Sequence, residues 1–491
     1  MESPTTDAPE LDSPGDRIGP PSPRPVWHLT PERNWMNDPN GLVHVDGVFH
    51  AFFQYNPGGA GWGNMSWGHA VSEDLLTWRE LDVAIPFTDN EQVYSGSAVI
   101  DHGNTSGLGD GVTDPVVAIY TAATTDRLQA QALAVSRDRG MTWERYAGNP
   151  VLDRGSREFR DPKVFRYSGG DGPARWIMVA VEAVAHEVLI YSSENLRDWT
   201  WESKFDVPMP LDELWECPDL ISLPLDGEER WVMLLSTHSH DPANTQGSRM
   251  RWFLGDFDGH RFVPAPGEQW RLLDLGRDFY AGVTFADAPD GRRLMLGWMS
   301  NWQYAREVPT EPFRGAMSLP RELSLRRADA RAGSGGIDLV QTPVVPEGLE
   351  WRPVDVAAHE PAEVEVGVTG VLSVEADLAG GRTLALELCS GDEVLATVTL
   401  DGASRELVFD RPAPGGEGVH ETFPSVRRMP LGGDGRLASV QIFLDAHLVE
   451  IFACDGAAVM SHQAFVGADG WRVRVAGDAS AQVMVGATDT E

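Results

Sequence analysis

The chain has 491 residues and a mass of 53.7 kDa, too long for one ordinary core, which predicts two folded units. Its 74 acidic residues against 39 basic ones give a net charge of −35, a surface that repels nucleic acid and anionic membranes. Cys217, Cys389 and Cys454 are too few and too dispersed for a disulfide framework or a metal cluster, and no apolar run is long enough to form a membrane-spanning helix.

Residues 1–25 are rich in Pro, Ser and Asp and lack an apolar stretch, which predicts a disordered arm. The visible start carries no leader and reads as cytoplasmic; a secreted protein trimmed of its leader would read the same. Lys163 and Lys204 are the only lysines. Arginine with abundant acid suits either the codons of a GC-rich genome or a solvated coat adapted to high salt, and neither identifies a substrate.

Residues 26–336 read as short strands. Apolar runs at 48–55, 116–121, 176–180, 231–236 and 294–299 have β-like lengths, and 51 Gly and 34 Pro punctuate them. A loose repeat runs through this half. Ser72-Glu73-Asp74-Leu75-Leu76-Thr77-Trp78 resembles the segments that start at Ser136 and Ser192 and end at Trp143 and Trp199; 254–262 is a weaker copy. Copies about 60 residues apart, each a strand, a turn and a Trp, predict propeller blades, five of them over this length. The tryptophans are expected to pack against the neighbouring blade. A short strand at 337–343, inside a linker at 337–349, is expected to close this unit. From 350 to 491 alternating apolar strands separated by Gly, Asp and Pro predict a β-sandwich. The fold class is therefore all-β, a five-bladed propeller followed by a C-terminal sandwich.

Three carboxylates stand in unusual settings. Asp38 lies in Trp35-Met36-Asn37-Asp38-Pro39-Asn40-Gly41, Asp161 in Arg160-Asp161-Pro162, and Glu216 in Trp215-Glu216-Cys217-Pro218. Pro39 restricts the backbone at Asp38, and Asn40-Gly41 is a hairpin-type turn signal. The three acids fall in the first, third and fourth blade-sized segments, and inner strands of a propeller converge on one channel. Two carboxylates about 5 Å apart suit a retaining glycosidase, one as nucleophile and one as acid and base; a third can grip sugar hydroxyls. Metal binding is the rival reading, but no His-rich spacing accompanies these acids.

The same segments resemble glycoside hydrolase family 32, the invertase, inulinase and levanase group. The likeness runs through 35–41, Phe53-Gln54-Tyr55-Asn56-Pro57, Trp62-Gly63-Asn64-Met65-Ser66-Trp67-Gly68-His69, 94–99, 159–163, 215–220, 278–281, 297–305 and 318–322, with Val449-Glu450-Ile451-Phe452 in the second half. It implies Asp38 as nucleophile, Glu216 as general acid and then base, and Asp161 as binder of fructose hydroxyls. It implies Arg160 as their charged neighbour, with Asn37, Gln54, Trp62, Ser97 and Trp298 lining the pocket and Asn64 and Tyr280 close by. Burial and nearby negative charge are expected to raise Glu216 so that it holds a proton. No metal or organic cofactor is required.

The expected partner is a non-phosphorylated fructose-containing oligo- or polysaccharide, either sucrose, levan or inulin, since no basic cluster adjoins the pocket motifs. A fructosyltransferase, which passes the same intermediate to a sugar, and a non-catalytic fructan-binding protein are the alternatives. Either a monomer or a homodimer fits the sequence.

Overall fold

The computed structural model describes residues 23–487, apart from 170–172, 208–212, 240, 242–243, 245, 329–335, 414–418 and 433–435. Nearly all of the expected N-terminal arm, residues 1–22, lies outside the described residues.

Five sheets make up the first unit, antiparallel except where the two-residue strand Phe313–Arg314 pairs parallel with the start of Asn34–Val45. Counted outward, blade 1 holds Asn34–Val45, Val48–Asn56, Ser66–Ser72 and Arg79–Ile85. Blade 2 holds Glu91–Ile100, Val116–Thr124, Gln129–Ser136 and Glu144–Arg145. Blade 3 holds Phe159–Tyr167, Arg175–Glu182, Glu187–Ser193 and Thr200–Phe205. Blade 4 holds Leu214–Leu225, Glu228–His238, Arg249–Phe257 and Phe262–Pro264; blade 5 holds Tyr280–Thr284, Leu294–Trp298, Arg321–Arg327 and Ile337–Pro343. Each inner strand packs beside the next and the first meets the fifth, so the ring closes around a channel.

Ile337–Pro343 pairs along its length with Arg321–Arg327 and buries Leu339 and Val340. The first half of the stretch expected as linker is thus the outer strand of blade 5.

The repeat marks the turn between the third and fourth strands of blades 1 to 3. Ser72 Oγ accepts the amide of Leu75 at 2.7 Å and Asp74 Oδ1 that of Thr77 at 2.6 Å. Ser136 and Asp138 do the same for Gly140 and Thr142, at 2.8 and 2.9 Å, and Asn195 for Asp198 at 2.9 Å. Short polar side chains that bond the backbone two to four residues on are what such turns need. The tryptophan then fills the seam between blades: Trp143 of blade 2 meets Phe52 of blade 1 edge to face, with ring centroids 5.3 Å apart. Trp78 and Trp199 sit in clusters that likewise draw on more than one blade.

The second unit is two six-stranded antiparallel sheets with one shared core. Leu384 and Leu386 show the period of two, each buried between less buried neighbours. The sandwich docks on the propeller through buried charge. Glu450 binds Arg321 and His28, Asp445 binds His28, and Asp278 binds Arg411 at 2.9 Å.

Candidate active site

Every inner strand carries a bulge near the same end. Pairing slips between Met36 and Pro39 in blade 1, between Val93 and Gly96 in blade 2, and opposite Asp161 and Pro162 in blade 3. It slips again between Glu216 and Asp219 in blade 4 and between Tyr280 and Val283 in blade 5. A bulge re-aims side chains that a regular strand would send to alternate faces. In blades 3 to 5 the bulge holds a side-chain-bearing residue in left-handed backbone: Asp161 at φ 61°, Cys217 at 46° and Ala281 at 53°. That conformation is costly and collects at functional sites. Pro39, Pro162 and Pro218 fit here because the innermost strand has a free edge toward the channel, where no ladder partner needs their missing N–H.

Asn40-Gly41 is not the hairpin turn expected from the sequence. It lies inside the strand Asn34–Val45, at a second slip between Asn40 and Val43, and the hairpin closes at Asp46-Gly47. Gly41, at φ 53°, is required because a Cβ there would come within 2.7 Å of Phe52 and Trp67.

The bulges bring the three predicted carboxylates together around Cys217. Asp38 is buried; Oδ1 accepts from Asn37 Nδ2 at 3.0 Å and Oδ2 from Ser95 Oγ at 2.7 Å. Cys217 places its Sγ 3.6 Å from Asp38 Oδ2, and its amide donates to Asp161 Oδ2 at 2.9 Å. Glu216 Oε1 accepts from Arg160 Nε at 3.1 Å, and Oε2 accepts from Tyr280 Oη at 2.7 Å and lies 3.1 Å from His238 Nε2. Arg160 also binds Glu158 at 2.8 Å and Gln129 at 3.3 Å, and its Nε stands 4.0 Å from Asp161.

These surroundings sort the carboxylates. Burial raises Asp38, and the charge on Glu216 adds to the rise. Asp161 is pushed up to about 7, first by burial and then by Glu216. Glu216 goes the other way, against expectation: burial pushes it up, but His238 and Arg160 together outweigh that and hold it well below the usual carboxylate range. In the free site burial favours a proton on Asp161 and Asp38, while His238 and Arg160 favour a charged Glu216. Burial and three carboxylate neighbours push the Cys217 thiol far up, so it stays protonated.

The other predicted residues divide. Asn37 is fixed by Trp35 Nε1 at 2.7 Å and holds Asp38. Tyr280 touches Glu216. Gln54 is buried and donates to Val93 O at 3.0 Å, beside the blade 2 bulge. Trp298 is fully buried against Trp35 and Trp302, with ring centroids 6.0 and 4.9 Å away. Trp62 is 38% exposed against Tyr94, and Asn64 reaches Asn56 at 3.4 Å, both in the loop above blade 1. Ser97 is engaged elsewhere. Its hydroxyl donates to Pro162 O at 2.9 Å and accepts from Val164 N at 3.0 Å, tying blade 2 to blade 3. The serine that reaches a carboxylate is Ser95, which sequence reasoning passed over, as it did His238.

At the other end of the channel a second cavity of about 400 Å³ has Lys163, Asp219 and Thr284 in its wall. None of the three clustered carboxylates lines it, so it is not the candidate site.

Against known families, residues 28–343 match the glycosyl hydrolases family 32 N-terminal domain and residues 357–485 the family's C-terminal domain. The chain belongs to glycoside hydrolase family 32. Within that family it is 41% identical over 457 residues to a levanase of Bacillus subtilis, covering 89% of this chain and 66% of that one. The extracellular exo-inulinase of Aspergillus awamori is 35% identical over 498 residues, covering 92% of this chain and 91% of that one. A crystal structure of exo-inulinase from that organism matches with a TM-score of 0.87 at 33% identity, over 95% of this chain and 98% of that one. A β-fructofuranosidase of Schwanniomyces occidentalis, solved with fructosyl-erythritol, matches with a TM-score of 0.86 at 32% identity, over 95% and 97%. The family 32 propeller and sandwich are thus both present, and the chain is a glycosidase of the fructofuranosidase type.

Proposed function

We propose that this family 32 enzyme is a secreted exo-fructanase that releases terminal fructose from levan or inulin, and from sucrose, with Asp38, Asp161 and Glu216 as its working carboxylates. One observation carries the assignment of roles. Three inner strands deliver three carboxylates to one buried point, and each is held differently. Asp38 has neutral donors on both oxygens, Asn37 and Ser95, which orient it and leave it negative enough to attack. Glu216 stands between Arg160, Tyr280 and His238, in a setting built to pass a proton. Asp161 has Cys217 N on one oxygen and the other open to sugar hydroxyls.

The chemistry follows from these settings. Fructofuranose readily forms an oxocarbenium-like centre, because the ring oxygen feeds charge to the anomeric carbon. Asp38 bonds that carbon while Glu216 protonates the departing oxygen; Glu216, now a carboxylate, takes a proton from water as the water displaces Asp38. In the free site Asp161 favours its protonated form and Glu216 its charged form. Sugar hydroxyls that donate to Asp161 favour its charged form, and so favour moving the proton to Glu216 as substrate binds. The pH profile of turnover then reports the cluster rather than any one residue.

The extracellular relatives favour secretion over the cytoplasmic reading. Incubating the protein with sucrose, inulin and levan and resolving the products tests the proposal. Stepwise free fructose from inulin or levan is the expected result. Lengthening oligosaccharides with glucose release would replace it with a transferase, and tight binding without turnover would end the enzymatic reading. Growth of the source cells on levan, followed by fractionation, should place the activity in the medium.

A further inference from the structure

His238 is the last residue of the strand Glu228–His238. Ser236 lies opposite Glu216 across the blade 4 pair. His238, two residues on, therefore shares the face of Glu216 and stands on its diagonal, within reach of a long side chain. The imidazole is 7% exposed and held by packing, edge-on to Tyr280 and tilted against Trp302, with ring centroids 5.9 and 6.3 Å away. Its Nε2 reaches Glu216 Oε2 at 3.1 Å.

The other two groups that touch Glu216 keep their protons. Arg160 meets Oε1 through Nε and Nη2, each at 3.1 Å, and a guanidinium does not give a proton up. Tyr280 Oη donates to Oε2 at 2.7 Å, and burial with the charge of Glu216 pushes this phenol far up. Among the described residues Asp161 makes no hydrogen bond to Glu216. Its Oδ2 accepts from Cys217 N at 2.9 Å, and Arg160 stands between the two acids. Imidazole is the side chain that takes and gives a proton near neutral pH, and here it adjoins the acid that has to protonate a departing oxygen.

Other charged and titratable groups surround the pair. Arg160 and Asp161 come from blade 3, Asp38 from blade 1, Cys217 from blade 4 and Tyr280 from blade 5. On its own blade His238 also has Arg249 opposite Thr237 on the next strand, and Asp241 three residues along the chain.

We propose that His238 is a positioning residue for Glu216: the two share one proton, which His238 Nε2 holds between turnovers and passes to Glu216 when a glycosidic bond is to be broken. The role rests on the reading of Glu216 as acid and base. Protons balance over the cycle. Glu216 gives its proton to the departing oxygen as the anomeric carbon leaves that oxygen for Asp38. Water returns a proton to Glu216 as its own oxygen displaces Asp38, and the proton goes back to His238. While the pair holds one proton, the share of it on Glu216 does not change with pH. A solitary Glu216 would lose its acid form about tenfold with each pH unit above its own titration.

The test is the pH dependence of kcat/KM for sucrose, which reports groups of the free enzyme, in wild type and His238→Gln. Glutamine keeps an amide donor for Glu216 and removes the titration. The upper pH limit should move down by at least ~1 unit in the variant, because a carboxyl group loses its proton below an imidazole. With a fructosyl donor whose leaving group needs no acid, wild type and variant should share one limit. If thermal melting shows His238→Gln unfolded, His238→Asn replaces it. An unchanged or higher limit on sucrose in the folded variant overturns the role of His238. So does an equal loss on both donors at every pH, which is what a merely structural histidine would give. A wild type that consumes neither donor would instead remove the proposed function, and this role with it.

Discussion

In the propeller channel, Asp161 and Glu216 share one guanidinium, Arg160, Glu216 alone meets the imidazole of His238, and Asp38 has neutral donors only. At the propeller–sandwich junction, Asp274, Asp278, Asp445 and Glu450 face Arg321, Arg411 and His28. Both groups are buried and both join distant parts of the chain, but their charges are matched differently. At the junction burial would push Asp445 and Glu450 up, yet His28 and Arg321 outweigh it and hold both below the usual range; Asp274 stays raised by burial. In the channel two of three carboxylates are raised and a proton is left to share. Buried carboxylates that cations hold charged fix one arrangement; buried carboxylates that stay raised are a store of reactivity.

The comparison breaks most sharply at Asp38. Asp38→Asn should lower turnover on the order of 10⁴-fold, as loss of a covalent nucleophile does. It should leave the melting temperature equal or higher, because a carboxylate that burial disfavours has been neutralised. Fructose release and a thermal melt on one sample check both halves. Arg321→Met should do the reverse. It leaves Glu450 and Asp274 without their guanidinium and should cost about 3–5 kcal/mol in denaturant unfolding, with little change in turnover per folded molecule.

Acidity sharpens the contrast, since the two regions lose stability in different pH windows. His28 is raised to about 9 from an ordinary 6.5: burial opposes the rise, and Asp445 and Glu450 drive it. Its contribution, up to roughly 3 kcal/mol, is complete below pH 6.5 and lost as pH rises to 9. Asp161, raised to about 7, holds a proton that the unfolded chain gives up near 3.8, so its effect is a loss of stability as pH rises from about 4 to 7. Unfolding free energy measured from pH 4 to 10 should therefore lose its upper slope in His28→Gln and its lower slope in Asp161→Asn. The smallest effect belongs to Ser95→Ala. Removing one donor from Asp38 should cut kcat by about tenfold, whereas Ser97→Ala should lower stability and spare kcat, which paired kinetics and melts will separate.

The channel carboxylates were legible because each precedes a proline by one or two residues, a pairing that a strand laddered on both edges does not tolerate. The blades were legible from the Ser-to-Trp turns, whose bonds lie within a few residues. Ser95 was not. Ser95 and Ser97 have the same parity on a regular strand, and the slip between Val93 and Gly96 decides which one reaches Asp38. The same kind of slip turned Asn40-Gly41 from an expected hairpin into a bend within one strand. His238 ends a strand with no local mark of function, and its meaning comes from Glu216 on the neighbouring strand. The low Glu216 was misjudged for that reason. The junction was invisible because Arg321 and Glu450 meet only when the two units dock.

The claim that most of the account rests on is that Asp38 bonds the fructosyl carbon. Glu216→Gln supplied with a fructosyl donor whose leaving group needs no acid should form that bond and then stall for want of a base. Mass spectrometry of the quenched, digested protein should find one fructosyl unit on the peptide containing Asp38. A fructosyl unit on Asp161, or none on a variant that still consumes the donor, would contradict it.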